Sequence, residues 1–176
     1  MTAPLTVSRP ELLKNRTDDD FRQFVHRLLA FSTRLEAIRS GFGERIGLSG
    51  IQYTILVTVA HLDEDKGISV KGIAQHLALS GAFITIETGK LEKKGLITKK
   101  QDPEDRRSVL VQVTKKGCAL LAELAPVQVR VNDVLFGSLR RRDFEQLNKL
   151  LAGMVRGAED AAAMIAYLSQ TTRTGS

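Results

Sequence analysis

The sequence has little of what builds disulfide frameworks, aromatic clusters or membrane spans. It contains one Cys and no Trp, and aromatic residues make up 5% of the chain. A single Cys excludes an intramolecular disulfide framework and is typical of a reducing compartment. The longest run without acidic or basic residues, 46–62, includes polar side chains and is shorter than the roughly 20 apolar residues of a membrane helix. With no apolar signal segment in residues 1–20, these absences predict a soluble, cytoplasmic protein without a membrane partner.

The motifs of common catalytic and metal sites are also missing. The sequence contains no Gly-rich phosphate loop, no Gly-x-Ser-x-Gly turn and no His-Glu-x-x-His helix. Its histidines, His26, His61 and His76, lie too far apart to form a recognisable ligand set with Cys118. The sequence therefore predicts no enzyme, no cofactor and no metal site.

Positive charge, by contrast, is concentrated in one part of the chain. The net charge is +6, and residues 66–116 carry all of it, with eleven Lys or Arg against five acids. The segments on either side are together neutral. A positive middle between neutral arms is the distribution expected of a protein that contacts a polyanion such as DNA.

Apolar periodicity and capping residues predict four helices, a β-hairpin and two more helices. Ser49 with Gln52 reads as a capping box, and Ser69 and Ser80 read as N-caps of two short helices that meet at residues 79–81. The runs 96–101 and 108–114 suit strands, with turn-forming residues between them. This order predicts a mostly α fold: a winged helix-turn-helix with a small β-hairpin wing, flanked by N- and C-terminal dimerisation helices.

Five segments follow from these boundaries. They are an N-terminal arm (1–16), a dimerisation helix (17–48), the winged helix-turn-helix DNA-binding region (49–117), C-terminal dimerisation helices (118–168) and a flexible tail (169–176).

The second helix of a helix-turn-helix reads base edges in the major groove from its N-terminal half. Here that half is SGAFITIETGK, small and hydroxylated at its start, with Phe83, Ile84 and Leu91 expected to face the core. Arginines at a wing tip suit the adjacent minor groove, and Asp105 is placed to orient Arg107. The predicted DNA contacts are Ser80, Thr85, Thr88, Lys90, Lys99, Arg106 and Arg107.

The stretch LEKKGLITKKQDPEDRRSVLVQVTKKG resembles MarR-family (multiple antibiotic resistance regulator) transcription factors. In that family a helix ending Leu-x-x-x-Gly-Leu leads into a wing with Asp-x-Arg and a strand closing in Leu-Thr or similar. The matching residues are Leu91, Gly95, Leu96, Asp105, Arg107, Val113 and Thr114. The resemblance implies an obligate homodimer joined by its first and last helices, and release of DNA by a small, often aromatic or anionic, molecule. Glu87 and Gly89 depart from the family pattern, so the operator sequence does not carry over.

The residues themselves also favour a dimer. Apolar stripes on the first and last helices, such as Phe21–Phe42 and Leu147–Leu168, exceed what a winged core of about 70 residues can cover. A two-fold partner would cover them and present two reading helices to successive turns of a palindromic operator, roughly 34–36 Å apart. We therefore predict a homodimer that acts on double-stranded DNA, as a repressor.

Two arginines on the first helix suggest an effector site. Arg27 and Arg34 flank the apolar stripe beside Phe24 and Phe31, and with Tyr53 they can hold an aromatic carboxylate or the phosphates of an acyl thioester. The alternative is that both arginines pair with acids such as Glu36 or lie in water.

Two other functions stay open. Cys118 follows Lys115 and Lys116, which favour a thiolate and hence a redox switch, although a buried, inert thiol is the simpler interpretation. A winged helix can also be a protein-interaction module, and its positive face would then meet an acidic protein.

Overall fold

The structure, a computed structural model, describes residues 4–63 and 66–171. These residues form six α-helices and one small sheet. The helices are α1 (Asp19–Arg45), α2 (Gly50–Leu62), α3 (Val70–Leu77), α4 (Gly81–Lys93), α5 (Lys115–Leu135) and α6 (Arg141–Thr171). The strands are β1 (Ile68–Ser69), β2 (Ile97–Gln101) and β3 (Val109–Val113). The predicted fold class, mostly α with a hairpin wing, is confirmed.

The helix starts follow the capping residues. Ser49 accepts the N–H of Gln52 at 3.3 Å while the Gln52 side chain accepts the N–H of Ser49, which completes the predicted capping box. Ser69 and Ser80 cap α3 and α4 in the same way, through the N–H groups of Gly72 and Phe83. Each cap satisfies amide groups that a helix start leaves without partners.

The turn between α3 and α4 spans residues 78–80 and depends on a left-handed residue. Ala78 has φ 52° and ψ 41°, and the N–H of Leu79 reaches back to the carbonyl of Ala74 at 2.9 Å. At the other end of α4, Gly95 takes φ 72°, which suits a residue without a side chain. These two stops fix the length of α4 between the turn and the wing.

The sheet has the order β1-β3-β2, and both pairs are antiparallel. In the hairpin, Ile97 lies opposite Val113 and Gln101 opposite Val109. Strand β1, which the sequence did not predict, adds two residues to the far side of β3. It connects the start of α3 to the wing.

The chain divides into two compact units, Met1–Gln128 and Val129–Ser176. The first contains the winged helix-turn-helix, and its core lies between α2, α3, α4 and the sheet. Its fully buried apolar side chains are those of Ile55, Leu56, Val59, Ile73, Ile84, Leu91 and Val111. Because α4 contributes two of these residues, one of its faces is fixed to the core and the other is exposed.

Two residues of the N-terminal arm, Pro4 and Thr6, contact the start of α1. Asp18, 4% exposed, accepts bonds from the amide and the hydroxyl of Thr6 at 2.7 and 2.6 Å and from Nε of Arg22 at 3.0 Å. Arg22 also donates to the carbonyl of Pro4. Asp18 occupies the N-cap position of α1, but its carboxylate bonds to the arm and to Arg22 and does not cap the helix.

In the second unit, α6 has no buried residue along its 31 positions. Its exposed large apolar side chains include Leu147, Leu150, Leu151, Met154, Val155, Met164, Ile165 and Leu168. A long helix with an apolar stripe in water needs a further surface to cover it. The predicted tail, residues 169–176, begins inside this helix, and its last five residues lie outside the described ones.

Candidate nucleic-acid interface

The exposed face of α4 begins at its first turn. Gly81 and Ala82 are exposed and small, so an approaching phosphate can reach the main-chain amides of the helix start. Phe83 is 38% exposed and Ile86 58% exposed. The prediction that Phe83 faces the core is therefore wrong, whereas Ile84 and Leu91 are buried as expected. Apolar and small groups on this face suit contact with base edges and thymine methyl groups.

The two threonines of α4 have different environments. Thr85 is exposed, and its hydroxyl donates to the carbonyl of Gly81 at 2.8 Å, which leaves the oxygen lone pairs and the methyl group available. Thr88 is fully buried, and its hydroxyl donates to the carbonyl of Ile84 at 2.7 Å. The predicted DNA contact of Thr88 is wrong because its side chain lies on the core face of the helix.

Glu87 and Lys90 form an ion pair one turn apart. The carboxylate of Glu87 is buried, and it accepts bonds from Nζ of Lys90 at 2.5 Å and from Nε2 of Gln52 at 3.1 Å. The bond from Lys90 lowers the pKa of Glu87 below its ordinary value, with a smaller contribution from Gln52 against the opposing effect of burial. Lys90 itself remains about half exposed. Its ammonium group therefore lies at the surface with one of its three donors already engaged.

Lys99 on β2, one of the predicted DNA contacts, turns towards α4. Its side chain is 17% exposed, and Nζ lies 3.4 Å from the carbonyl of Thr85 and 4.0 Å from the carboxylate of Glu92. A Cβ on Gly89 would lie 3.9 Å from this ammonium group. Lys99 therefore passes over Gly89 at a distance that would also accommodate a Cβ. This contact joins the wing to α4.

The tip of the wing is held by turns that expose two arginines. Asp102 and Asp105 accept the main-chain N–H groups of Glu104 and Arg107 at 2.9 and 3.0 Å, and the amide of Gln101 donates to the carbonyl of Arg106 at 2.6 Å. Asp105 thus fixes the main chain at Arg107 and does not bridge to its guanidinium group in the described residues. Arg106 and Arg107 are exposed. The hydrogen bonds of the turn fix the main chain at both residues, whose side chains lie in solvent.

The predicted effector residues occupy two environments. Phe24, Arg27, Phe31 and Arg34 are exposed along α1, and Arg34 donates to the carbonyl of Ala30 at 2.9 Å. Exposed aromatic rings beside cationic side chains form a surface that can bind an aromatic anion.

Tyr53, the fifth predicted effector residue, lies in the core instead, 2% exposed. Its ring meets Phe42 edge-on at 5.8 Å between centroids, and the guanidinium carbon of Arg39 lies 5.2 Å from its centre. Its hydroxyl accepts from Nε2 of Gln128 at 2.7 Å, and burial raises its pKa. Arg39 was missed by the sequence reading because its proximity to Tyr53 depends on how α1 packs on α2.

Cys118 is exposed near the start of α5, which contradicts the prediction of a buried thiol. Among residues 4–63 and 66–171, no group of three His, Cys, Asp or Glu side chains could hold a metal ion. Over the same residues, none of the helices combines the length and the apolar character that crossing a bilayer requires.

Comparisons with known proteins agree with this arrangement. A sequence model of the MarR family matches residues 51–109, which run from α2 to β3. The organic hydroperoxide resistance transcriptional regulator of Bacillus subtilis is 32% identical over 111 residues, which cover 63% of this chain and 70% of that regulator.

Solved structures share the fold at lower identity. A mutant MarR from E. coli complexed with operator DNA aligns with a TM-score of 0.63 at 17% identity, over 77% of this chain and 96% of that one. CouR from Rhodococcus jostii RHA1, bound to p-coumaroyl-CoA, aligns with a TM-score of 0.65 at 21% identity, over 78% and 92%. Together with the winged helix-turn-helix and its cationic wing, these matches show that the chain belongs to the MarR family and is a DNA-binding transcriptional regulator.

Proposed function

We propose that the protein is a repressor that binds a palindromic operator as a homodimer and leaves it when a small effector binds. The observation that carries the proposal is the exposed face of α4 next to a wing whose tip presents Arg106 and Arg107. These two side chains are exposed and do not contribute to the hydrophobic core. Their position instead suits a duplex that receives α4 in its major groove and the wing in the neighbouring minor groove.

Within this proposal the contacts divide by kind. The cap of α4 at Ser80, with the small residues after it, approaches phosphate through main-chain amides. Thr85 and Lys90 meet base edges, and Arg106 and Arg107 enter the minor groove, where negative potential is concentrated. Phosphate contacts supply most of the affinity, and base contacts choose the site.

The dimer is supported by the apolar stripe of α6, which has no buried residue, and by exposed Phe24, Leu28 and Phe31 on α1. Burying such side chains contributes about 25 cal/mol per Å² of apolar surface. A second copy provides matching stripes under two-fold symmetry, because a two-fold interface uses the same surface twice. Two α4 helices would then read two half-sites.

The effector is proposed to be an aromatic carboxylate or an acyl thioester. Exposed Phe24 and Phe31 offer ring contacts, and Arg27 and Arg34 offer guanidinium groups for an anion. That CouR binds p-coumaroyl-CoA supports this chemical class for the fold. A thermal-shift screen of phenolic acids and their thioesters, repeated with Arg27→Ala and Arg34→Ala, would identify the ligand and its site.

Arg107→Ala tests the DNA contact directly. We expect operator binding to weaken by about 1–3 kcal/mol, as for one lost specific contact, with the melting temperature and the dimer unchanged. The operator is first selected from random duplexes by the wild-type protein, and affinities are measured by gel-shift titration. Arg45→Ala, which removes one exposed positive charge at the end of α1, is the matched control. Equal affinities of the two variants would refute the role of Arg107, and failure to select any duplex would favour a protein-interaction module.

A redox-responsive regulator is the second candidate. Cys118 is exposed beside Lys115 and Lys116, and the relative from B. subtilis is named for organic hydroperoxide resistance. If Cys118 is the sensor, an organic hydroperoxide releases the wild-type protein from the selected duplex and leaves Cys118→Ser bound. Release of both proteins would place the oxidation elsewhere.

A further inference from the structure

We propose that Glu87 is a positioning residue that fixes the ammonium group of Lys90 on the DNA-facing side of α4 and so sharpens the choice of base sequence. The inference rests on the proposed function, because it requires α4 to read DNA. It assigns a purpose to a carboxylate that would otherwise repel the polyanion.

The geometry connects two helices through one carboxylate. Glu87 is 7% exposed in its side chain, and its two oxygens accept from different partners, Lys90 on the same helix and Gln52 on α2. Gln52 is itself held, because its side-chain oxygen accepts the N–H of Ser49 in the capping box. The carboxylate therefore has little freedom, and the bond it accepts at 2.5 Å defines where the ammonium group of Lys90 lies.

This arrangement differs from an ordinary surface ion pair. Two flexible exposed side chains three residues apart gain little stability from pairing and adopt many geometries. Here one partner is buried and bonded twice, whereas Lys90 is about half exposed. Lys90 thus presents its remaining donors to solvent from one position.

A fixed lysine and a free lysine act differently towards DNA. A free lysine pairs with any phosphate within reach, which raises affinity for all sequences and steepens the salt dependence. A lysine held by Glu87 forms a pair with no net charge, so it adds little to general phosphate attraction. Its two free N–H groups instead favour an acceptor at one place, such as the O6 or N7 of a guanine. Glu87 therefore lowers the affinity for all DNA sequences and raises the preference for one of them.

The test is a double-mutant cycle with Glu87→Gln and Lys90→Gln, measured on the duplex that the wild type selects from a random pool and on a scrambled duplex. We expect Glu87→Gln to lower the ratio of specific to non-specific affinity by roughly fivefold or more, the lower end for one base contact. Binding to the scrambled duplex should strengthen and its salt slope should steepen by up to about one unit. In the Lys90→Gln background, adding Glu87→Gln should leave the ratio unchanged.

Glu44→Gln is the matched control, since it removes an exposed carboxylate at the end of α1 that the proposal does not place in contact with DNA. It should strengthen binding to both duplexes alike and keep their ratio. The proposal is overturned if Glu87→Gln leaves the ratio unchanged, or if it lowers the ratio equally with and without Lys90. If Glu87→Gln does not fold, Lys90→Gln, at an exposed position, is measured in its place. An unchanged ratio of specific to non-specific affinity in Lys90→Gln also overturns the proposal. If the wild type selects no duplex, the proposed function itself fails, a result distinct from a selected duplex whose discrimination ignores Glu87.

Discussion

At the scale of single residues, burial decides which side chains of α4 are available to DNA. Thr85 and Thr88 are the same residue type one turn apart, yet one is exposed and the other fully buried. Both hydroxyls donate to carbonyls four residues earlier, so local hydrogen bonding does not distinguish them. Only the position of each residue around the helix does.

This contrast predicts opposite results for two isosteric substitutions. Thr85→Val should weaken operator binding by about 1 kcal/mol, because it removes a hydroxyl from the reading face, and should leave stability nearly unchanged. Thr88→Val should leave operator affinity unchanged, because here the methyl group replaces a hydroxyl that is buried in the core. Gel-shift titration and urea denaturation of both variants check these outcomes. A loss of affinity in Thr88→Val at unchanged stability would mean that α4 rotates when DNA binds.

There is a physical reason why the sequence does not show which of Thr85 and Thr88 is buried. Phe83, Ile84, Ile86 and Leu91 are apolar and point in several directions around α4, so no single stripe marks the core face. Two of them are in fact exposed. The pair of Glu87 with Lys90 was predictable from spacing as an ion pair. Its link to Gln52 was not, because it joins side chains 35 residues apart.

At the scale of elements, the boundaries of helices depend on residues close in sequence, whereas the contacts between elements depend on packing of residues far apart in sequence. Ser49, Ser69 and Ser80 cap their helices as the sequence predicted, because a cap needs only the next few residues. Strand β1 was missed because its two residues carry too short a pattern and form a strand only by pairing with β3. The approach of Lys99 to α4 is likewise invisible in the sequence, since its direction depends on how the wing meets that helix.

The contact between the N-terminal arm and α1 makes stability depend on pH through Asp18. Bonds from Arg22 and Thr6 hold the pKa of this carboxyl well below its ordinary value of 3.8. The unfolded chain therefore takes up the proton first as pH falls, so the stabilisation is present above about pH 4 and is lost in stronger acid. Asp18→Asn should be less stable than the wild type at neutral pH, and the difference should shrink as pH falls towards about 3. Urea denaturation of both proteins between neutral pH and about pH 3 measures this difference in the free energy of unfolding.

The control for Asp18→Asn is Asp19→Asn, which removes a neighbouring, exposed carboxylate at the start of the same helix. It reports the general effect of charge on the helix dipole. If both variants lose the same stability at every pH, the bonds of Asp18 to Thr6 and Arg22 contribute nothing specific.

At the scale of the whole molecule, charge and apolar surface are separated along the chain. Residues 66–116 carry the net charge of +6 and contain α4 and the wing, whereas the remainder is neutral. Exposed apolar side chains concentrate instead on α1 and α6. A positively charged middle for DNA and neutral, apolar ends for a second copy are consistent with a dimer that positions two reading helices.

A substitution on α6 tests whether DNA recognition depends on that dimer. Leu151→Lys places a charge in the apolar stripe, and two-fold symmetry makes it occur twice in one interface. We expect the free energy of dimerisation to become less favourable by about 2–5 kcal/mol per site. Sedimentation equilibrium should then show a monomer, and this monomer should bind the palindrome no more tightly than a half-site. Gln146→Lys adds the same charge to an exposed polar position of α6 and should remain dimeric with normal binding. Since both variants gain one positive charge, general attraction to DNA is matched between them. A Leu151→Lys protein that stays dimeric, or a monomer that binds the palindrome as tightly as the wild type, would show that the stripe on α6 does not bring the two reading helices together.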